Sequence, residues 1–178
     1  KLDNEFENKT FSGFDLEGDY ETWGTSFSAE FGKRINMKNG VYVDPSVEFT
    51  YGSVQDASYS VDASGMYDAK FLVNQEEFES LVGRVGLRIG KQTERSNIYA
   101  KLGLAHEFCG EYDTYYKEAG SSKVAHTSVD LSDTWYEMQL GGNLKLSDNS
   151  LLYATFERSF GGDVEQKWRV DAGLRWSF

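Results

Sequence analysis

The chain has 178 residues, 39% of them apolar, and a formal charge of −11, and its mean hydropathy is −0.55. No apolar run reaches the roughly 18 residues of a transmembrane helix, and the acidic balance excludes nucleic acid, whose phosphates need Lys and Arg to neutralise them. Aromatics at 15%, 18 glycines and a single proline point to an all-β chain instead.

No leader segment is visible at Lys1, so any targeting sequence lies upstream or has been removed. Cys109 is alone, which rules out an internal disulfide or a multi-cysteine metal site.

In chain order, the opening stretch from Lys1 to about Phe11 is a poor strand, because Asn4 and Asn8 interrupt Leu2 and Phe6. It reads as the solvent-exposed upper part of a strand whose membrane half lies upstream. From Trp23 onward the pattern is stronger. Trp23, Thr25, Phe27, Ala29 and Phe31 oppose Gly24, Ser26, Ser28, Glu30 and Gly32. Val41, Val43, Pro45, Val47, Phe49 and Tyr51 then oppose Tyr42, Asp44, Ser46, Glu48, Thr50 and Gly52. Leu81, Val85, Leu87 and Ile89 oppose Arg84, Gly86, Arg88 and Gly90. Ile98, Ala100, Leu102, Leu104 and Phe108 oppose Tyr99, Lys101, Gly103, Ala105 and Glu107.

The later segments repeat the pattern. Tyr136, Met138, Leu140, Gly142, Leu144 and Leu146 oppose Trp135, Glu137, Gln139, Gly141, Asn143 and Lys145. Leu152, Ala154 and Phe156 oppose Tyr153, Thr155 and Glu157. In the last twelve residues every even position from Trp168 to Phe178 is apolar and every odd one is charged, small or polar. Period-two alternation of this kind predicts strands with two unlike faces. Seven full strands and a partial eighth result, each full strand approaching the 9–11 residues that span a bilayer when tilted.

The connections alternate as well. Short turns are expected at 37–40, 93–96 and 147–149, with Asn39-Gly40 the strongest hairpin signal. Longer polar stretches at 13–19, 56–77, 110–131 and 161–166 are expected to be loops, with acids such as Asp56, Asp62, Asp68, Glu76, Glu77 and Asp113 in solvent. Short turns at one end and long loops at the other suit an outer-membrane barrel. Pro45 within a strand predicts a bulge or a place near the rim where ladder bonds are sparse.

Two placements of the faces compete: ionic side chains around a wet lumen, or outward around an oily core as in a soluble ligand-binding barrel. The first is favoured. Its lumen-facing set mixes both signs: Glu30, Glu48, Glu107, Glu137 and Glu157 with Arg84, Arg88, Lys101, Lys145, Arg169 and Arg175. It is also rich in glycine, as strands are where they curve or where a large neighbour leans across. Lys or Arg on the lipid side would cost about 2–4 kcal/mol at the midplane.

Several stretches carry a resemblance. They are Val43-Asp-Pro-Ser-Val-Glu-Phe-Thr-Tyr-Gly-Ser-Val54, Leu81-Val-Gly-Arg-Val-Gly-Leu-Arg-Ile-Gly90, Phe156-Glu-Arg-Ser159 and Asp171-Ala-Gly-Leu-Arg-Trp-Ser-Phe178. In order and spacing they resemble the C-terminal translocator β-domain of bacterial autotransporters, the type V secretion proteins. The resemblance implies an antiparallel transmembrane β-barrel of twelve strands, of which residues 1–178 match the last eight as part of one domain. It implies a bacterial outer-membrane location with the C-terminus periplasmic and the long loops extracellular. The implied partners are the lipid bilayer, the outer-membrane assembly machinery, and an N-terminal passenger with a linker helix lying upstream.

The resemblance also implies an assembly signal at Asp171, Gly173, Leu174, Trp176 and Phe178, whose final strand would offer unpaired backbone groups to the insertion machinery. The alternative role for these residues is closing the barrel and anchoring its rim. Eight strands cut from a twelve-strand curvature predict two unpaired edges.

No catalysis, metal or cofactor is expected. Glu137 and Glu157 could form a glycosidase-like carboxylate pair, but ion pairing with the Arg and Lys of the same face is the simpler role. His106 and His126 lack the spacing of a metal site or triad, and the Asn8-Lys-Thr10 sequon is common by chance. A complete small eight-stranded outer-membrane barrel with a structural or adhesive role is the alternative function.

Overall fold

The computed structural model describes residues 1–10, 13–65, 68–163 and 165–177. The chain divides into two compact units, Lys1–Phe27, Tyr51–Leu81 and Cys109–Ser132 in one, and Ser28–Thr50, Val82–Phe108 and Asp133–Phe178 in the other. The pairings given below are all antiparallel.

An eight-stranded sheet holds the strongly alternating segments. Its order runs from β14 (Arg169–Trp176) through β13 (Ser150–Phe160), β12 (Thr134–Ser147), β9 (Ser96–Glu107), β8 (Phe78–Gln92) and β5 (Val41–Val54) to β3 (Gly24–Gly32). The short β4 (Ile35–Asn36) also pairs with β5, so it and β3 together form the first of the seven full strands expected. Among the described residues this order is open, with β14 and β3 at its ends.

The register keeps the two chemistries apart. Ile89, Ala100, Leu140, Phe156 and Val170 are successive partners in one cross-strand row. One residue along, Arg88, Lys101, Gln139, Glu157 and Arg169 form the next row. Because side chains alternate faces, a slip of one residue would exchange the two rows, and the sheet is held to this register.

The three short turns lie where the sequence puts them. At Lys38–Gly40 a single 3-10 turn uses positive φ at Asn39 (59°) and Gly40 (73°). A side chain at Gly40 would also collide with the Gln92 carbonyl. The Thr93 N–H donates to the Ser96 carbonyl at 2.7 Å, closing the second turn. Between Ser147 and Ser150 the third follows a register shift at the end of β12.

Pro45 lies inside β5. Beside it the neighbouring chain is interrupted, where β3 stops and β4 starts, and the Lys33 N–H donates to the Pro45 carbonyl at 3.2 Å across that break.

The polar stretches are the main correction. Three of the four expected loops fold as strands of a second, six-stranded sheet. Its order is β1 (Leu2–Lys9), β2 (Asp15–Thr22), β6 (Ala57–Ser64), β7 (Ala69–Gln75), β10 (Glu111–Glu118) and β11 (Ala125–Asp130). The opening stretch is an edge strand of this sheet, consistent with its weak apolar pattern. The stretch 161–166 is a loop, as expected, outside any strand over its described residues.

Acidity concealed these strands. In the β1–β2 hairpin the odd positions carry carboxylates, with Asp3 opposite Glu21, Glu5 opposite Asp19 and Glu7 opposite Glu17. The other face supplies the packing. Tyr20 stacks on Tyr59 with ring centres 4.4 Å apart, Phe6 meets Tyr59 edge-on at 6.4 Å, and Gly18 lies directly beneath the Phe6 ring. Cross-strand aromatic pairs stabilise a sheet by about 0.2–1 kcal/mol each, which offsets part of the repulsion between facing carboxylates. Lys1 and Lys9 offset more, pairing with Glu21 at 2.7 Å and Asp15 at 3.1 Å.

Candidate functional site

The functional surface of the eight-stranded sheet is its pair of opposite faces. On the apolar face, Leu140, Leu104 and Val170 are 47%, 38% and 58% exposed. An oily-core barrel would bury these side chains, so that alternative fails. Large apolar groups this exposed and contiguous mark a surface made for an apolar environment.

The ionic face is internally bonded. Arg84 on β8 is clamped between two carboxylates, its Nη1 donating to Glu48 Oε1 and its Nε to Glu137 Oε1, each at 3.2 Å. Thr50 accepts from Arg84 Nη1 at 3.3 Å and donates to Glu48 at 3.0 Å. Trp135 Nε1 donates to Glu137 at 2.9 Å. Ala105 is the register partner of both Arg84 and Trp135 and is only 1% exposed, so its small side chain lets the two larger ones meet above it.

A second group follows the row of Lys101 and Gln139. Gln139 Nε2 donates to Glu157 Oε1 at 2.5 Å, and Arg169 lies 3.4 Å from Glu157 and 2.7 Å from Asp171. Lys101 reaches Glu30 at 4.0 Å. The Arg88 guanidinium sits 4.7 Å above the Tyr99 ring. Three expected members stand apart. Lys145 pairs with Asp148 in the adjoining turn, Arg175 faces Leu151 across the ladder, and Glu107 is buried at the far end of β9.

Glycines on this face accommodate tyrosines. Gly90 lies under Tyr42, Gly173 under Tyr153, and an added Cβ at Gly141 would sit 2.6 Å from the Tyr99 ring. Tyr42 is 1% exposed, donates to Asn97 at 2.8 Å and carries the Arg34 guanidinium 4.0 Å above its ring. Arg34 in turn pairs with Asp44 at 2.7 Å. These tyrosines, Arg34, Thr50 and Trp135 are site residues that charge counting missed; for the tyrosines and Trp135 the signal was a large side chain at ionic-face parity beside a neighbouring glycine or alanine.

In the terminal strand, Asp171 and Gly173 fall on the ionic face, while Leu174 and Trp176 are exposed on the apolar face. Phe178 lies outside the described residues. The Ser177 N–H donates to the Asn149 carbonyl at 2.8 Å, and β13 is the only strand paired with β14 among the described residues.

Glu137 and Glu157 are each committed to hydrogen bonds with different partners, unlike a carboxylate pair sharing a substrate. The histidines are less isolated than expected. His106 contacts Thr134 at 2.7 Å, and His126 contacts Asp113 at 2.6 Å while stacking on Tyr115 at 4.7 Å. The hydrogen bond from His126, with one from Ser128, holds the Asp113 carboxyl below the usual carboxylate range. Among the described residues no group of three or more His, Cys, Asp or Glu side chains could hold a metal ion.

An antiparallel sheet with one oily exposed face and one ionic, internally paired face defines the class of outer-membrane transmembrane β-barrel proteins. Within that class the chain belongs to the autotransporter family, its residues 2–157 matching the family model described as autotransporter beta-domain. It is 30% identical to the pertactin autotransporter of Bordetella parapertussis over its whole length, covering 18% of that protein. The pertactin autotransporter of Bordetella bronchiseptica is also 30% identical, with 19% of it covered. Serine protease EspP of Escherichia coli is 27% identical over 99% of the chain and 13% of that protein. The chain thus spans less than a fifth of the length of these relatives. It is an autotransporter β-domain, and the small self-contained barrel is not favoured.

Proposed function

We propose that the eight-stranded sheet sits in the outer membrane with its apolar face against acyl chains and its ionic face lining an aqueous interior. An N-terminal passenger crosses through or beside that interior. The short turns and the C-terminus are periplasmic, and the hairpins of the six-stranded sheet are extracellular. The separation of two unlike faces along one register carries this reading. Arg84 offsets part of the charge of Glu48 and Glu137 there, giving a hydrated wall with little tendency to hold a passing chain.

The work is mechanical. Anchoring and export need a wall and an edge rather than a reacting group, so neither a cofactor nor chemistry is assigned to this chain. Asp171, Gly173, Leu174, Trp176 and Phe178 present the final strand to the assembly machinery. The free side of β14 offers its backbone donors and acceptors, and the exposed Leu174 and Trp176 offer apolar contact.

Single cysteines test the faces. In a Cys109→Ser background, Gln139→Cys in isolated outer membranes should react with a membrane-impermeant maleimide. Leu140→Cys should react only with a lipid-soluble reagent. The reverse pattern would overturn the assignment.

A further inference from the structure

Two cations break the chemistry of the apolar face, and only Arg158 lies toward the end away from the short turns. Between the row of Leu144, Leu152 and Leu174 and the row of Val85, Leu104, Tyr136 and Phe160, the register positions of β8, β9, β12, β13 and β14 are apolar or glycine except for Lys91, next to the short turns, and Arg158, at the opposite end. Its row continues Leu87, Leu102 and Met138, so its parity is that of the apolar face. The side chain is exposed, and among the described residues it makes no ion pair or hydrogen bond. Every cation of the ionic face except Arg175 has a carboxylate or an aromatic ring beside it, as for Arg84, Arg88, Lys101, Lys145 and Arg169.

The position is specific in depth. Tyr136 and Phe160 stack one row further from the short turns, with ring centres 5.7 Å apart and a 20° interplanar angle. Such amphipathic rings belong at a membrane–water boundary. Two residues along a strand are about 7 Å, or about 5 Å of depth for a strand tilted near 40°. A guanidinium can snorkel that far while its stem stays in the oil. Phe156 and Phe160 flank it along β13, and Trp168, also exposed, lies one residue beyond the Glu157–Arg169 pair.

We propose that Arg158 binds a phosphate group on a lipid headgroup of the outer leaflet, its guanidinium reaching the level of the Tyr136–Phe160 row. This rests on the lipid-facing reading given above. A guanidinium offers two parallel donors to a phosphate, and no carboxylate among the described residues pairs with this one.

The test is native mass spectrometry of the full-length protein from detergent, with added bisphosphorylated lipid A and its dephosphorylated form as probes. The wild type should retain the bisphosphorylated lipid about tenfold or more over the dephosphorylated form. Arg158→Gln should lose that preference, Arg158→Lys should keep part of it, and Arg95→Gln, at the short-turn end, should leave it unchanged. Equal retention of the phosphorylated lipid by Arg158→Gln, or no phosphate preference in the wild type, would overturn the site. A nitroxide on Arg158→Cys separately reports whether position 158 meets lipid-soluble oxygen or aqueous nickel chelate. Chelate exposure would refute the lipid-facing reading itself, whatever the lipid result. Heat-modifiable gel migration confirms that each variant is folded.

Discussion

The Tyr153 ring on β13 lies across the Cα of Gly173, its ladder partner on β14, so that a Cβ at position 173 would collide with the phenol. Gly173→Ala should therefore push the ring away and loosen the last pairing, by about 1–3 kcal/mol as overpacking does. Tyr153→Ala combined with Gly173→Ala should recover much of that loss, a non-additivity visible in urea titration of the folded, slow-migrating gel band. Additive losses would mean that the two residues do not share this space.

Arg84 joins carboxylates from two strands, and Glu137 lies 53 residues away from it. Arg84→Gln leaves Glu48 and Glu137 facing each other without their cation, and should cost about 1–3 kcal/mol in urea unfolding. Glu137→Gln should cost less, because an amide oxygen still accepts from Trp135 and Arg84. Equal losses for the two would contradict the shared clamp.

The Asp113–His126 contact ties β10 to β11. Because Asp113 titrates below its ordinary value in the folded chain, its contribution is full above the usual carboxylate range. It is lost as pH falls through the lowered folded value, so the hairpin should loosen below about pH 4. Amide exchange at Thr114 and Thr127, register partners in that hairpin, should quicken there, and Asp113→Asn should flatten the profile. Exchange that stays level down to pH 3 would rule out the linkage.

Removing Trp176, Ser177 and Phe178 should abolish membrane assembly, whereas replacing the turn at 119–124 between β10 and β11 should not. Heat-modifiable migration after each change separates them. Normal assembly of the shortened chain would show that its end carries no assembly signal.

Leu140→Arg places a cation in the middle of the apolar face and should destabilise the folded state by about 2–4 kcal/mol. Gln139→Arg, one residue away on the ionic face and next to Glu157, should be close to neutral. Unfolding from lipid vesicles compares the two, and similar costs would mean that the faces are not in different media.

The alternation from Trp23 to Trp176 determined, without any coordinates, which residues share a face and where the tight turns fall. Side chains on a strand alternate by geometry, and opposite chemistries cannot share one solvent, so pattern alone assigns the faces. It left open whether Gly90, Gly141 and Gly173 mark strand curvature or a large neighbour, and the packing of Tyr42, Tyr99 and Tyr153 over them supplied the answer. What only the tertiary structure decided was the fate of the polar stretches. Backbone hydrogen bonding does not depend on apolar side chains, so carboxylate-rich segments such as Asp15–Thr22 complete a sheet once aromatic neighbours like Tyr59 cover one side. The Arg84 clamp and the place of Arg158 on the apolar face were likewise decided by pairing, because register across several strands joins residues whose distance along the chain carries no signal.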